Sequence, residues 1–384
     1  MGLSWEMAKT TSTARWTWST AAWLVGRPGL GHRRGTVPPP SPGCWAAGER
    51  WAAVGAYGAG MTRCLVTGSS GYIGSRLVSA LHRAGHIPVA TARDTTKLDC
   101  FDWPRDVQRL ELDVADVASC RTALASARVE VAYFLVHSLG EGDFATHDLD
   151  SARTFARAAR KAGVRRLVYL GGFVPADDHL SEHLESRADV GDALGEDGVE
   201  LVWLRAAIIL GAGSTSYELI RHLADRVPVI PLPTWMNHPV SPVAVDDVLH
   251  YLVAAAGSTV PAGAYDLTNG ESPTYSELIK TYARVNGRRR VWLPLPPIPP
   301  AVVARVAALP TPLPHALTAD LIMSLPNTMR SHDHHIRALV PDPPGGLTRT
   351  DEAFRRARSG AEPDGVHATA DPLHRTRTDP DWSA

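Results

Sequence analysis

The chain has 384 residues, enough for one large domain or two modest ones with a sizeable core. Its 39 basic and 40 acidic side chains nearly cancel, so no net field favours nucleic acid or an anionic membrane surface, and neither is an expected partner. Cys44, Cys64, Cys100 and Cys120 are too scattered for a zinc site or a disulfide framework, and no apolar run reaches the roughly 18–20 residues of a spanning helix; the expectation is a protein of the reducing cytoplasm.

Residues 1–60 carry Trp5, Trp16, Trp18, Trp23, Trp45 and Trp51 and a Pro38-Pro39-Pro40 run, with no sustained helical or strand period. Met61 is the expected natural start, and residues 1–60 an upstream extension or disordered tail. From there strands and helices alternate. A strand at 64–67 runs into a helix at about 71–84, with Ile73, Leu77, Val78 and Leu81 on one face and Gly85 as its stop. Strands follow at 89–92, 107–112 and 131–136, the last two separated by a helix around Leu124. A helix at 144–162 repeats Leu149, Ala152, Phe155, Ala156 and Ala159 at helical spacing, and strand 166–170, helix 180–194 and strand 199–204 complete the run. This alternation implies an α/β fold with a doubly wound parallel sheet over residues 61–205. Beyond Arg205 prolines interrupt the pattern. A strand enters a helix at 243–248, a strand lies at 265–267, a helix at 276–285 is capped by Thr274 or Ser276, and an apolar helix spans 301–309. Residues 206–340 are expected to form a smaller substrate-side lobe that also contributes to the sheet. Residues 341–384, rich in proline, charge and glycine, read as a disordered tail.

The stretch Thr67-Gly68-Ser69-Ser70-Gly71-Tyr72-Ile73-Gly74 follows a strand and opens a helix, the context in which a glycine pattern binds a dinucleotide. Gly68 permits the tight turn, Gly71 lets the backbone approach a pyrophosphate, and Gly74 lets the helix sit close on the sheet. Ser70, Tyr72 and Ile73 complete the binding turn, whose N–H groups face the anion at the positive helix end. Cofactor choice is read after the second strand, where Ala92 is followed by Arg93. A carboxylate there would hold ribose hydroxyls, whereas a guanidinium favours the 2′-phosphate of NADP(H). NAD stays open, because a small shift of register would make Asp94 the ribose ligand, and Arg93 also fits a solvated loop charge. Asp113 and Val114 suit the adenine, Asp113 reading equally as a helix N-cap. Val136, His137 and Ser138 end the fourth strand, near where the nicotinamide belongs.

These stretches, with Tyr169-Leu170-Gly171-Gly172, resemble the atypical and extended short-chain dehydrogenases/reductases, nearest to the NAD(P)H-binding, NmrA-like branch, which also resembles the nucleotide-binding accessory subunit of respiratory complex I. The stretches 132–138 and 183–187 are similar to a bacterial epimerase/dehydratase-like subgroup. The resemblance covers about residues 62–330 and implies a Rossmann fold and a nicotinamide cofactor. It also implies a Ser or Thr after the fifth strand and a Tyr-x-x-x-Lys on the next helix, where this chain has Gly171-Gly172 and His183-x-x-x-Arg187. The i, i+4 spacing keeps His183 and Arg187 on one helix face. His183 titrates near pH 6.5 and is suited to moving a proton; Arg187 is suited to holding the nicotinamide ribose or orienting a carbonyl; His137 is a further polar contact. An exposed charged helix with ordinary surface pairs is the other reading of the same residues. His179 with His183, and His332-Asp333-His334-His335, lack a third ligand in register, so no metal is expected. Arg205 is an ion-pair partner or a cleft wall.

Two functions are consistent with this pattern. One is an NADP(H)-dependent oxidoreductase acting on a small carbonyl or quinone-like acceptor through a non-standard active site, the apolar, proline-rich lobe suggesting a hydrophobic acceptor site. The other is a non-catalytic NADP(H)-binding redox sensor or accessory subunit. A sugar-nucleotide epimerase is disfavoured, since the tyrosine base is missing.

Overall fold

The computed structural model describes residues 60–137, 144–174, 182–307, 311–331, 333–359 and 371–383, all within one unit of the chain. The expectations for residues 1–59, Ser138, His179 and His332 lie outside the described residues.

Eleven strands and eleven α-helices are described in chain order. The first half contains β1 (Arg63–Val66), α1 (Tyr72–Arg83), β2 (Ile87–Ala92), β3 (Gln108–Glu111), α2 (Val117–Ala127), β4 (Val131–Phe134), α3 (Phe144–Lys161), β5 (Arg166–Gly172), α4 (Glu182–Gly195) and β6 (Glu200–Ala206). The second contains β7 (Ile208–Leu210), α5 (Thr215–Arg226), β8 (Val229–Pro233), β9 (Pro242–Ala244), α6 (Val245–Ala254), β10 (Gly263–Leu267), α7 (Tyr275–Val285), β11 (Val291–Leu295), α8 (Pro300–Ala307), α9 (His315–Ser324), α10 (His335–Leu339) and α11 (Thr350–Ser359).

Seven strands form one parallel sheet in the order β10-β6-β5-β4-β1-β2-β3. Sequence order reverses between β1 and β4, and a crevice opens beyond the carboxyl ends of strands at such a switch point. Strand residues such as Leu65, Val66, Ala132 and Tyr133 are fully buried, as a sheet covered by helices on both faces requires. Leu77 and Leu81 of α1 and Val248 and Leu252 of α6 cover one face, and Leu124 of α2, Phe155 of α3 and Val190 of α4 cover the other. The fold is therefore the doubly wound Rossmann sheet that the alternation implied, with β10 from the second half added at its edge.

Two small parallel sheets, β7-β9 and β8-β11, hold the second half together. Of these four strands the sequence pattern showed only β9, in the strand that enters a helix at 243–248; the prolines of β8 and β11 mask the alternation there.

The disordered tail expected from residue 341 is corrected. Helix α11 and residues 371–383 pack back onto the domain. The charges that suggested solvation find partners far away in sequence. Arg356 binds the fully buried Asp246 at 3.0 Å and Asp371 at 2.7 Å, and Arg358 binds Asp225 at 2.7 Å. Arg76, inside α1, makes two 2.8 Å bonds to Asp379. Paired in this way, buried charge costs far less than composition alone suggests.

Candidate active site

A cleft of about 1230 Å³ begins at the carboxyl ends of β1, β2 and β4 and continues into the second half of the chain. Gly68, Ser70, Gly71, Tyr72, Ile73, Gly74, Arg93, Asp113, Val114, Val136, His137 and Arg187 all line it.

The glycine turn is shaped by close backbone approach. Gly68 has φ of +62°, a conformation that favours glycine, and Gly71 N–H donates to Gly68 O at 2.9 Å. A Cβ on Gly74 would lie 2.8 Å from the Gly68 carbonyl carbon, which no side chain could tolerate. Gly71 caps α1 without any side-chain cap, which leaves the first-turn amides available to an anion. Ser69 and Thr91 brace the turn: each hydroxyl donates to Val66 O at 2.8 Å, and Thr91 N–H donates to Ser69 Oγ at 3.0 Å. The cradle therefore fits a dinucleotide pyrophosphate.

β2 stops at Ala92, so Arg93 is the first residue beyond the strand. Its rival Asp94 caps the short 3₁₀ turn Thr95–Leu98, accepting from Thr96 N at 3.0 Å and Thr96 Oγ1 at 2.6 Å; these bonds hold its carboxyl below the usual range. Lys97 lines the cleft, as Arg93 does. The strand register pointed to Arg93 or Asp94 and not to Lys97, which follows in the 3₁₀ turn. The N-cap of α2 is Asp116, which accepts from Ala118 N and Ser119 N. Asp113 instead accepts from Ala115 N at 3.0 Å and borders the cleft with Val114.

Gly171 and Gly172 occupy the position where the resembled superfamily has its hydroxyl residue. A Cβ on Gly171 would stand 2.5 Å from Trp203 Nε1, and one on Gly172 2.7 Å from Arg187 Cδ. The volume of a serine is thus filled by a tryptophan and by the Arg187 stem. Tyr169 Oη donates to the Arg187 carbonyl at 3.3 Å; burial pushes this phenol up to about 12, against the pull of the Arg187 charge. His183 lies in the first turn of α4, four residues before Arg187, and its side chain falls outside the described residues. His137 is exposed at the cleft.

Arg205 belongs to an ion pair and does not line the cleft. It binds Asp266 at 2.7 Å, and Ser331 Oγ donates to the other oxygen of the same carboxylate at 2.9 Å.

The sequence did not show how the C-terminal segment reaches the cleft. Tyr72 has a buried hydroxyl with no partner among the described residues, and Arg76 stacks 4.0 Å over its ring. Arg76 in turn donates to Pro372 O and His374 O, both at 3.0 Å, and so ties the C-terminal segment to α1 and sets Pro380 and Trp382 at the cleft wall. An arginine four residues after Tyr72 on an otherwise apolar helix face was the available hint.

Fold and cleft together define a nicotinamide-dinucleotide-binding Rossmann domain. Residues 68–209 match a family model described as NAD(P)H-binding, and this stretch is an NAD(P)H-binding domain. No curated protein sequence matches the chain. Among solved structures, a nucleoside-diphosphate-sugar epimerase from Staphylococcus aureus is similar at TM-score 0.61 and 15% identity, over 76% of this chain and 99% of that one. A triphenylmethane reductase from Citrobacter sp., complexed with NADP(H), is similar at TM-score 0.59 and 18% identity, over 77% and 99%. The Bordetella bronchiseptica enzyme WbmH, in complex with NAD+, is similar at TM-score 0.52 and 19% identity, over 69% and 97%. At these identities the likeness is one of fold. With the family match, it is consistent with an atypical short-chain dehydrogenase/reductase of the NmrA-like branch. Among the described residues no helix is long and apolar enough to cross a membrane.

Proposed function

We propose that the protein is an NADP(H)-dependent oxidoreductase that reduces a small carbonyl or quinone-like acceptor. One observation carries this reading: a single cleft joins the glycine turn and Arg187 to a second compartment that a dinucleotide would leave free for a substrate. Arg93 and Lys97 receive the 2′-phosphate, the first-turn amides of α1 hold the pyrophosphate, and Asp113 and Val114 hold the adenine. Val136 packs beside the nicotinamide.

When bound, the nicotinamide supplies two electrons as a hydride to the acceptor carbon. Arg187 orients the acceptor oxygen, and its guanidinium stabilises the negative charge developing there. His183, one helical turn before Arg187, delivers the proton to that oxygen, with His137 at the cleft as a further polar contact. In sum, carbonyl, NADPH and one proton give alcohol and NADP+. The standard hydroxyl polariser has no room at Gly172, and the arginine whose stem fills that room takes its part.

The test is single-turnover oxidation of NADPH against a panel of quinones, enones and aldehydes. Oxidation by a panel member should fall about 10²–10⁴-fold in His183→Ala with NADPH affinity nearly unchanged. Tight NADPH binding with no oxidation across the panel would favour a non-catalytic NADP(H)-binding sensor or accessory subunit.

A further inference from the structure

The second compartment of the cleft differs in kind from the first. All the charged side chains and histidines among the described lining residues (Arg93, Asp94, Lys97, Asp113, His137, His147, Asp148 and Arg187) belong to the Rossmann half, and none comes from residue 206 onward. The far wall is instead built from Ile220 and Leu223 of α5, Trp235 and Met236 after β8, Val302 of α8 and Leu321 of α9. Most of its polar atoms are committed to the chain. Trp235 Nε1 donates to Ile298 O at 2.8 Å, Ser214 Oγ to Ile209 O at 2.8 Å, Ser324 Oγ to Asp320 O at 3.0 Å, and Tyr275 Oη contacts Met329 Sδ at 3.3 Å. The remaining polar side chains among the described lining residues from 206 onward are Thr215 and Ser216, at the entrance of α5, and the indole of Trp382.

Such a wall cannot repay the desolvation of a diphosphate or of a sugar's hydroxyls. It rewards hydrocarbon. We infer that the acceptor is an apolar carbonyl compound or quinone whose hydrocarbon substituent fills this chamber, its oxygen alone facing Arg187. The inference rests on the reductase reading for the chemistry and on the wall for the substrate class. For a quinone the reaction balances as quinone, NADPH and one proton giving hydroquinone and NADP+. The size of the cleft agrees, since about 1230 Å³ exceeds the roughly 300–1,000 Å³ usual for one small ligand and leaves space beyond a bound dinucleotide.

The experiment titrates NADP+-loaded protein with benzoquinones bearing no tail, a butyl tail or a decyl tail, following tryptophan fluorescence, because Trp235 and Trp382 line the cleft. Affinity should rise about threefold per added methylene until the chamber is full, and a polyether tail of equal length should add little. Val302→Asp, at a half-exposed site that should tolerate the charge, and Leu321→Gln should each flatten the dependence on tail length. An affinity indifferent to tail length, or UDP-glucose binding more tightly than the decyl quinone, would overturn the inference. NADPH oxidation measured in parallel separates the two readings. Tail-dependent binding without oxidation removes the reductase and leaves the apolar chamber; oxidation with no gain from the tail does the reverse.

Discussion

The two halves of the cleft are built by opposite strategies. Its cofactor half comes from one nearly contiguous stretch, Thr67 to Val136, in which each strand end presents its residues directly to the crevice. Its apolar half is gathered from α5, β8, α7, α8, α9 and the C-terminal segment, held by ion pairs between residues one to three hundred positions apart. The first half is a local motif on a rigid sheet. The second is an assembly whose shape depends on its ties, and disturbing those ties should reshape the substrate chamber while leaving the glycine turn in place.

The largest effect is expected at Asp379. Its side chain and that of Arg76 are 2% and 6% exposed, and their two 2.8 Å bonds are the main link between the last residues and α1. Asp379→Asn leaves a buried guanidinium without its countercharge and should cost about 3–5 kcal/mol, read by chemical denaturation. Replacing both partners together by leucine should recover much of that loss. A single-variant cost below about 1 kcal/mol would mean that the C-terminal tie is not a stabilising one.

A pH effect of somewhat smaller size belongs to the same assembly. His222 of α5 is buried, and its Nε2 donates to Trp382 O at 3.1 Å. Burial first, and then the Arg221 charge, lower its pKa to about 4. The unfolded chain takes up a proton as pH falls through about 6.5, but the folded chain does so only near 4, so folding stability declines across that window and levels off below it. The loss is at most roughly 3 kcal/mol. His222→Gln should flatten the profile between pH 6.5 and 4; an unchanged slope would place the titration elsewhere.

What the sequence made legible follows the same division. Gly68 and Gly74 were readable because backbone geometry leaves no other residue there, and the end of β2 at Ala92 because strand length fixes it. Lys97 was not, since a 3₁₀ turn moves it by an amount no strand period encodes. The cap of α2 also escaped: Asp113 read as an adenine contact or as the N-cap, and only the folded chain shows that Asp116 meets the helix amides. The C-terminal segment was misread because Arg356, Arg358, Asp371 and Asp379 look solvated until their distant partners are known. The replacement of a serine by the Arg187 stem needed Gly172 and Arg187 in contact, although the glycine and the arginine were each noticeable alone.

The smallest effect asked of the molecule tests the cofactor half alone. Arg93 is exposed beyond β2 and lines the cleft, as Lys97 does. A guanidinium bonded to a 2′-phosphate contributes about 1.5–3 kcal/mol, so Arg93→Ala should weaken NADPH by roughly 10–100-fold. NADH, which has no phosphate there, should change by less than about twofold. Lys97→Ala should follow the same pattern more weakly, because an ammonium meets the phosphate as a point charge without the paired bonds of a guanidinium. Equal weakening of both cofactors would remove the phosphate assignment and turn attention to Asp94, whose carboxylate would first have to leave Thr96 to reach a ribose. Both variants should leave the tail-length dependence of quinone binding intact, because neither Arg93 nor Lys97 belongs to the apolar wall built from residue 206 onward.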